Sequence, residues 1–327
     1  MKIIPETILV VLLTSLLTVN TVFAQTFALP PAGTDVIGKI DYIYAKYEDT
    51  LADIAREWGL GYEEIVRSNP DVDPWLPGAG TKVTLPTQYV LPQAPREGIV
   101  VNISEMRLYY YPKALKDTPR QVVTYPISVG RVDWATPLGL TKIVSKRKDP
   151  TWRPPVSIRK EHAEQGDPLP AVVPPGPDNP LGKFALNLGM PSYLLHGTNK
   201  PAGVGMQVTH GCIRLYPENI EALFASVDVG VQVRLVDQPY KVGWLNDQLY
   251  LEVHEALGQD PDNNGSNKTP VVKAIIDATK EHEASIEWAR LSLIVDRADG
   301  MPVVISLAAA EKPGQVVMPE KVVMLEP

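Results

Sequence analysis

The sequence predicts a mainly β protein in three parts: a small β-α-α-β unit, a larger β-rich domain and a C-terminal α+β extension. Three observations carry this reading. Between residues 98 and 236, short β-branched runs bounded by turn residues outnumber helical stretches. Residues 41–87 alternate, turn helical twice and alternate again. Helical spacing returns over Thr269–Arg290, followed by strand-like runs at Leu291–Val295 and Met301–Leu307.

The first 24 residues read as an export signal. Lys2 gives a positive start, Ile8–Val19 an apolar core, and Val22-Phe23-Ala24 a small-residue cleavage context that leaves Gln25 first in the mature chain. The apolar run falls short of the roughly 20 residues that cross a bilayer. The mature chain is therefore expected outside the cytoplasm, without a membrane span and as a monomer. With 31 Lys and Arg against 38 Asp and Glu, a net charge of -7 and a pI near 5.4, it lacks the basic stripe that nucleic-acid binding requires.

Behind a Pro/Gly-containing lead-in, Asp41–Lys46 reads as a strand, and Asp49-Thr50 caps a helix with Leu51, Ile54, Ala55 and Trp58 on one face. A second helix carries Tyr62, Ile65 and Val66 and stops at Asn69-Pro70. Pro77-Gly78 turns the chain into a strand over Thr81–Pro86. Residues 88–96, with Pro92 and Pro95, read as a linker. The larger domain spans 97–237, with strands at 98–103, 107–111, 122–129, 184–188, 193–196 and 231–236. A helix over Pro217–Val227 carries Ile220, Leu223 and Phe224 on a single face. Nine prolines within 149–180 predict a long ordered loop of the kind that covers sites, because such a run cannot donate regularly to a sheet. The extension, 238–327, includes a polar loop at Asp260–Asn267 and shows no chemical signature.

The chemistry concentrates at one place. Cys212 is the single cysteine. Exported proteins often pair cysteines as disulfides, so a lone one is either an inert core thiol or a reactive one. Here it lies in Thr209-His210-Gly211-Cys212-Ile213-Arg214-Leu215, after His196-Gly197-Thr198-Asn199 and a glycine-containing loop. The thiolate is the nucleophilic form of cysteine, and a neighbouring imidazole can take the proton and leave an ion pair. A strand-loop-strand return could set His196 beside Cys212, with the Gly197 carbonyl holding one imidazole tautomer. Gly211 allows close backbone approach, and amides around Cys212 could receive an oxyanion. His196, His210 and Cys212 would also make three zinc ligands. However, no acidic partner lies nearby in sequence and Arg214 would crowd the cation, so neither metal nor cofactor is expected. His162, His254 and His282 lack such neighbours and are expected at the surface.

Two resemblances follow from these residues. Asp49-Thr50-Leu51, Ile54-Ala55, Asn69-Pro70, Pro77-Gly78 and Val83–Pro86 resemble a LysM module, a small binder of N-acetylglucosamine polymers, with Glu48 where such modules usually carry glycine. His196-Gly197-Thr198, the loop and Thr209–Leu215 resemble the signature of YkuD-type L,D-transpeptidases over residues 97–237. Glu105–Pro112 and Pro170–Pro180 are similar to the Gram-negative periplasmic branch. That resemblance implies a β-sandwich catalytic domain and a cleavable export signal. Cys212 would attack the L-centre carbonyl of meso-diaminopimelate in a peptidoglycan tetrapeptide and expel D-alanine. His196 would be the base, oriented by Gly197, while Thr209, His210 and Gly211 shape the pocket and oxyanion site. Arg214 and Tyr193 would meet the substrate. The acceptor would be a lysine of a Braun-type lipoprotein or another stem's diaminopimelate. Water as acceptor would make the chain a carboxypeptidase or a lipoprotein-releasing amidase. A wall-binding protein without catalysis is the reading from another class.

Overall fold

The computed structural model describes residues 24–114, 116–257 and 268–307. Residues 1–23 of the expected export signal and the polar loop at 260–267 lie outside the described residues. Among the described residues no helix is long and apolar enough to cross a membrane.

The protein is mainly β. Nine strands form one sheet in the order Gln25–Ala28, Gln121–Pro126, Arg107–Tyr111, Gly98–Asn102, Gln232–Val236, Gly139–Lys148, Phe184–Leu188, Leu194–His196 and Ile213–Arg214. Most neighbours are antiparallel. Two pairs are parallel: Gly98–Asn102 with Gln232–Val236, and Leu194–His196 with Ile213–Arg214. On one face lies a core that includes Val101, Leu108, Ile127, Leu186, Leu195, Ile213 and Leu215, closed by the helix Pro217–Ser226. Residues Ile37, Tyr89 and Leu91 pack on the other face against Val100, Tyr109 and Val122.

That second layer corrects the linker reading. Gln88–Val90 pairs with Val36–Gly38, and Tyr89, Val90 and Leu91 are buried, so the two prolines end the strand rather than mark a solvated tether. Preceding it, Asp41–Tyr44 pairs with Lys82–Leu85 around two helices, α1 (Leu51–Glu57) and α2 (Tyr62–Arg67). Thr50 caps α1 by accepting the Asp53 N–H at 3.1 Å. Leu51, Ile54, Leu60, Ile65, Val83 and Leu85 make this unit's core.

The proline-rich segment also departs from expectation, since it holds a helix, α3 (Val156–Glu164). Its nine residues contain no proline, and Pro155 precedes it where a fixed φ suits a helix start. Asn179 gathers the rest. Its side-chain amide donates to the carbonyls of Pro150 (2.8 Å) and Pro174 (3.0 Å), while its oxygen accepts the Leu181 N–H. Further on, α4 (Pro217–Ser226) follows Cys212 closely.

In the extension, Tyr240–Leu245 and Gln248–Val253 form a hairpin through Asn246 and Asp247, both at positive φ as tight hairpin turns require. Two helices pack on it, α5 (Thr269–Ala278) and α6 (Trp288–Arg297). Leu291–Val295, expected as a strand, is therefore helical. Leu291, Ile294 and Val295 are its buried residues, at the i, i+3, i+4 spacing that a five-residue window does not reveal. Of Met301–Leu307, Val303–Val304 is strand.

Candidate active site

Leu195 and Ile213 are register partners whose side chains enter the core. Strand alternation therefore sends His196 and its partner Arg214 to the opposite face, together with Cys212, two residues before Arg214. The parallel pairing of Leu194–His196 with Ile213–Arg214 thus sets the segments that carry the histidine and the cysteine, 16 residues apart in sequence, side by side.

His196 is 5% exposed and its Nδ1 lies 2.6 Å from the Gly197 carbonyl. A carbonyl can only accept, so Nδ1 carries the proton and Nε2 offers the lone pair. Burial, seconded by the Arg214 cation, holds the imidazole down at about 3, against the pull of that carbonyl. Gly197 is tightly packed: a Cβ there would stand 3.1 Å from the Ile220 side chain and 3.4 Å from the Leu181 carbonyl.

Cys212 is half-buried. Its Sγ donates to the Ser192 carbonyl at 3.5 Å rather than to the imidazole. Burial pushes the thiol up, opposed by the Leu194 N–H and the Arg214 guanidinium. With the imidazole low and the thiol high, the resting pair is neutral, unlike the ion pair the residue types suggest. Ser192, absent from the sequence reading, holds its carbonyl there from a left-handed backbone (φ 71°), an uncommon conformation for a residue with a side chain.

Thr209 is buried and ties the turn: its hydroxyl donates to the Cys212 carbonyl (2.6 Å) and accepts the Gly211 N–H (3.2 Å). That amide is consequently engaged and not open to an oxyanion. Gly211 stands at φ 94° beneath Tyr193, whose Cε1 would be 2.9 Å from a Cβ. Thr136 donates to the Gly211 carbonyl at 3.0 Å and accepts the Gly130 N–H, joining the turn to a neighbouring strand.

His210 turns elsewhere. Its Nε2 is 3.0 Å from Glu161 on α3, and its ring packs edge-on against Trp134 at 5.2 Å. Arg131 holds the other Glu161 oxygen at 2.7 Å. Arg131, and then His210, keep that carboxyl below its usual range. The proline-rich segment is thereby fastened to the Thr209–Cys212 turn by residues that a motif search does not reach.

Arg214 has a different character. Its side chain makes no hydrogen bond or ion pair among the described residues, and its Nε is buried without a partner. Burial lowers its pKa, opposed by Cys212. The metal-capable side chains that converge among the described residues are instead Glu105, Glu252 and His254. The Lys241 ammonium already stands among them, 2.8 Å from Glu105 and 2.7 Å from Glu252. His254, expected at the surface, is drawn in by its 2.6 Å contact with Glu252.

Fold and site define a mainly β protein with a thiol and an imidazole on adjoining strands. Residues 96–236 match the family model YkuD, the L,D-transpeptidase catalytic domain. The chain is 39% identical over 286 residues to the Escherichia coli K12 protein named "Probable L,D-transpeptidase YcfS", covering 86% of this chain and 88% of that one. It is 37% identical over 297 residues to "Probable L,D-transpeptidase ErfK/SrfK" of the same strain, covering 88% and 93%. The solved L,D-transpeptidase 3 of Mycobacterium tuberculosis is 20% identical over 48% of this chain and 67% of that one, with a TM-score of 0.32, too loose a likeness to bear on the site. The chain belongs to the YkuD family of L,D-transpeptidases, enzymes that modify peptidoglycan, and to its Gram-negative branch.

Proposed function

We propose that this chain cleaves the meso-diaminopimelate–D-alanine bond of a tetrapeptide stem through a Cys212 thioester and passes the acyl group to an amine. The observation that carries this is a half-buried thiol on one strand face with a tautomer-fixed imidazole and an unpaired guanidinium. Because Nδ1 is occupied by the Gly197 carbonyl, Nε2 is the base. As Sγ leaves the Ser192 carbonyl and bonds to the substrate carbon, its proton passes to Nε2 and then to the departing D-alanine nitrogen. Burial and the Arg214 cation keep the imidazole neutral at rest, with its lone pair free on Nε2. Arg214 takes a substrate carboxylate, replacing the partner it lacks, and Tyr193 walls the pocket above Gly211.

The acceptor is a lipoprotein's C-terminal lysine or a second stem's diaminopimelate. Residues 41–87 act as a LysM-like glycan binder in front of the 97–237 domain, and residues 1–24 export the chain to the periplasm.

Incubation with a carbapenem is expected to add one adduct by intact-protein mass spectrometry, at Cys212. Cys212→Ala abolishes it, and His196→Ala slows it by roughly 10²–10⁴-fold, the usual worth of a general base. A folded protein that gains no adduct refutes the thiol assignment. With natural stems, free tripeptides in place of joined ones would turn the transferase into a hydrolase. A Cys212→Ala variant that keeps full cellular function would leave only wall binding.

A further inference from the structure

The small unit of residues 41–87 touches the chain on both sides of Cys212. On the entering side, the Tyr62 N–H donates to the Val204 carbonyl at 3.0 Å and the Glu63 N–H to the Gly205 carbonyl at 3.2 Å. The Glu63 carboxylate pairs with Arg67 at 2.6 Å and faces the Gln207 backbone amide. Gly205 (φ 87°) lies so close to Gly61 that a Cβ on it would overlap the Gly61 backbone, and one on Gly61 would stand 2.8 Å from the Gly205 Cα. Gln207 opens the strand Gln207–Thr209, whose last residue holds the Cys212 carbonyl. On the leaving side, Arg56 makes a two-pronged ion pair with Glu218 of α4, both contacts at 2.9 Å. The Tyr216 hydroxyl donates to the Leu60 carbonyl at 3.2 Å. Beneath both, Glu64 accepts the Gly61 N–H and pairs with the fully buried Arg107 of the large sheet.

A tether that merely delivers the enzyme to its polymer needs none of this. We infer that the small unit is a brace for the nucleophile segment, with Glu63 and Gly205 as positioning residues for the Cys212 thiol. The inference rests on the reading of Cys212 as the acylated thiol. Two backbone amides hold the Val204 and Gly205 carbonyls, the Gly61–Gly205 contact closes the space between them, and the Glu63 carboxylate faces the Gln207 amide. The turn from Thr209 to Cys212 inherits that placement. Displacing such a segment by a fraction of an ångström lowers the rate of the covalent step more than the binding that precedes it.

Saturation kinetics of carbapenem acylation on the full chain separate the two quantities. Glu63→Ala is expected to lower the maximal acylation rate about tenfold, with the preceding dissociation constant within about twofold. Glu63→Gln keeps an oxygen for the Gln207 N–H and restores most of the rate, a rescue that a loss of stability alone would not produce. Gly205→Ala is expected to act in the same direction and more strongly. Should it fail to fold, the Glu63 pair decides, because Glu63 lies outside the core of its unit. Folded Glu63→Ala protein acylating at the wild-type maximal rate would overturn the brace. A wild-type protein without any adduct would instead overturn the thiol assignment.

Discussion

Arg107 and Arg214 sit in the same large sheet and each buries its Nε without a partner, but the rest of their guanidinium surroundings differ. Arg107 is wholly buried, bonded to Glu64, to the Thr124 hydroxyl at 2.8 Å and to the Gly59 carbonyl, and stacked 4.3 Å from the Tyr89 ring. Arg214, two positions after Cys212, has no such company. A cation taken from water is costly unless its charge and donors are met. Where they are met, the side chain joins one part of the protein to another. Where they are not, the proposed function supplies the partner as a substrate carboxylate.

The comparison breaks most visibly at Arg107. Arg107→Met leaves Glu64 buried without its counter-ion and is expected to cost about 3–5 kcal/mol in urea unfolding. Adding Glu64→Leu should recover the charge part of that loss, leaving the smaller cost of the Gly61 N–H, Thr124 and Gly59 hydrogen bonds. Arg214→Met predicts the reverse pattern. It strands no carboxylate, so stability should stay within about 1 kcal/mol of wild type. Acylation by a tetrapeptide should fall roughly ten- to hundredfold, the worth of charged hydrogen bonds. A large stability loss at Arg214 with unchanged acylation would erase the distinction.

The smallest effect is on pH. Burial raises the thiol, so alkylation of Cys212 by iodoacetamide should keep rising as pH passes its ordinary value of 9.0. Arg214 favours the thiolate, so Arg214→Met should move the midpoint higher still and slow alkylation at any fixed pH below it. A midpoint moving down would contradict the charge relation.

How far the sequence could be read follows the range of the interactions. The β-rich domain and the motif residues were visible because periodicity and His196-to-Leu215 spacing are local. Glu161 and Arg131 were not, since each meets its partner 30 or 49 positions away. Ser192 contributes only a carbonyl, which any residue has. α3 hid because the prolines around it dominate the segment, although Val156–Glu164 itself has none. The hairpin at Tyr240–Val253 did carry a signal, Asn246-Asp247 between alternating runs, a turn pair suited to positive φ. Leu291–Val295 was misjudged because five residues are too few to tell period two from period 3.6.

Lys241 gives the C-terminal extension a meaning its sequence lacks. Its ammonium is fully buried, bonded to the Val90 carbonyl at 2.7 Å as well as to Glu105 and Glu252. Glu105 belongs to the large domain and Val90 to the segment before it, so one nitrogen fastens stretches 136 and 151 positions upstream. A chain ended at Asp237 would keep every residue of the proposed chemistry and yet leave Glu105 without its cation, held only by Asn102 and Tyr109. Such a shortened protein should be recovered mainly as aggregate, which makes the C-terminal extension a keystone rather than an ornament.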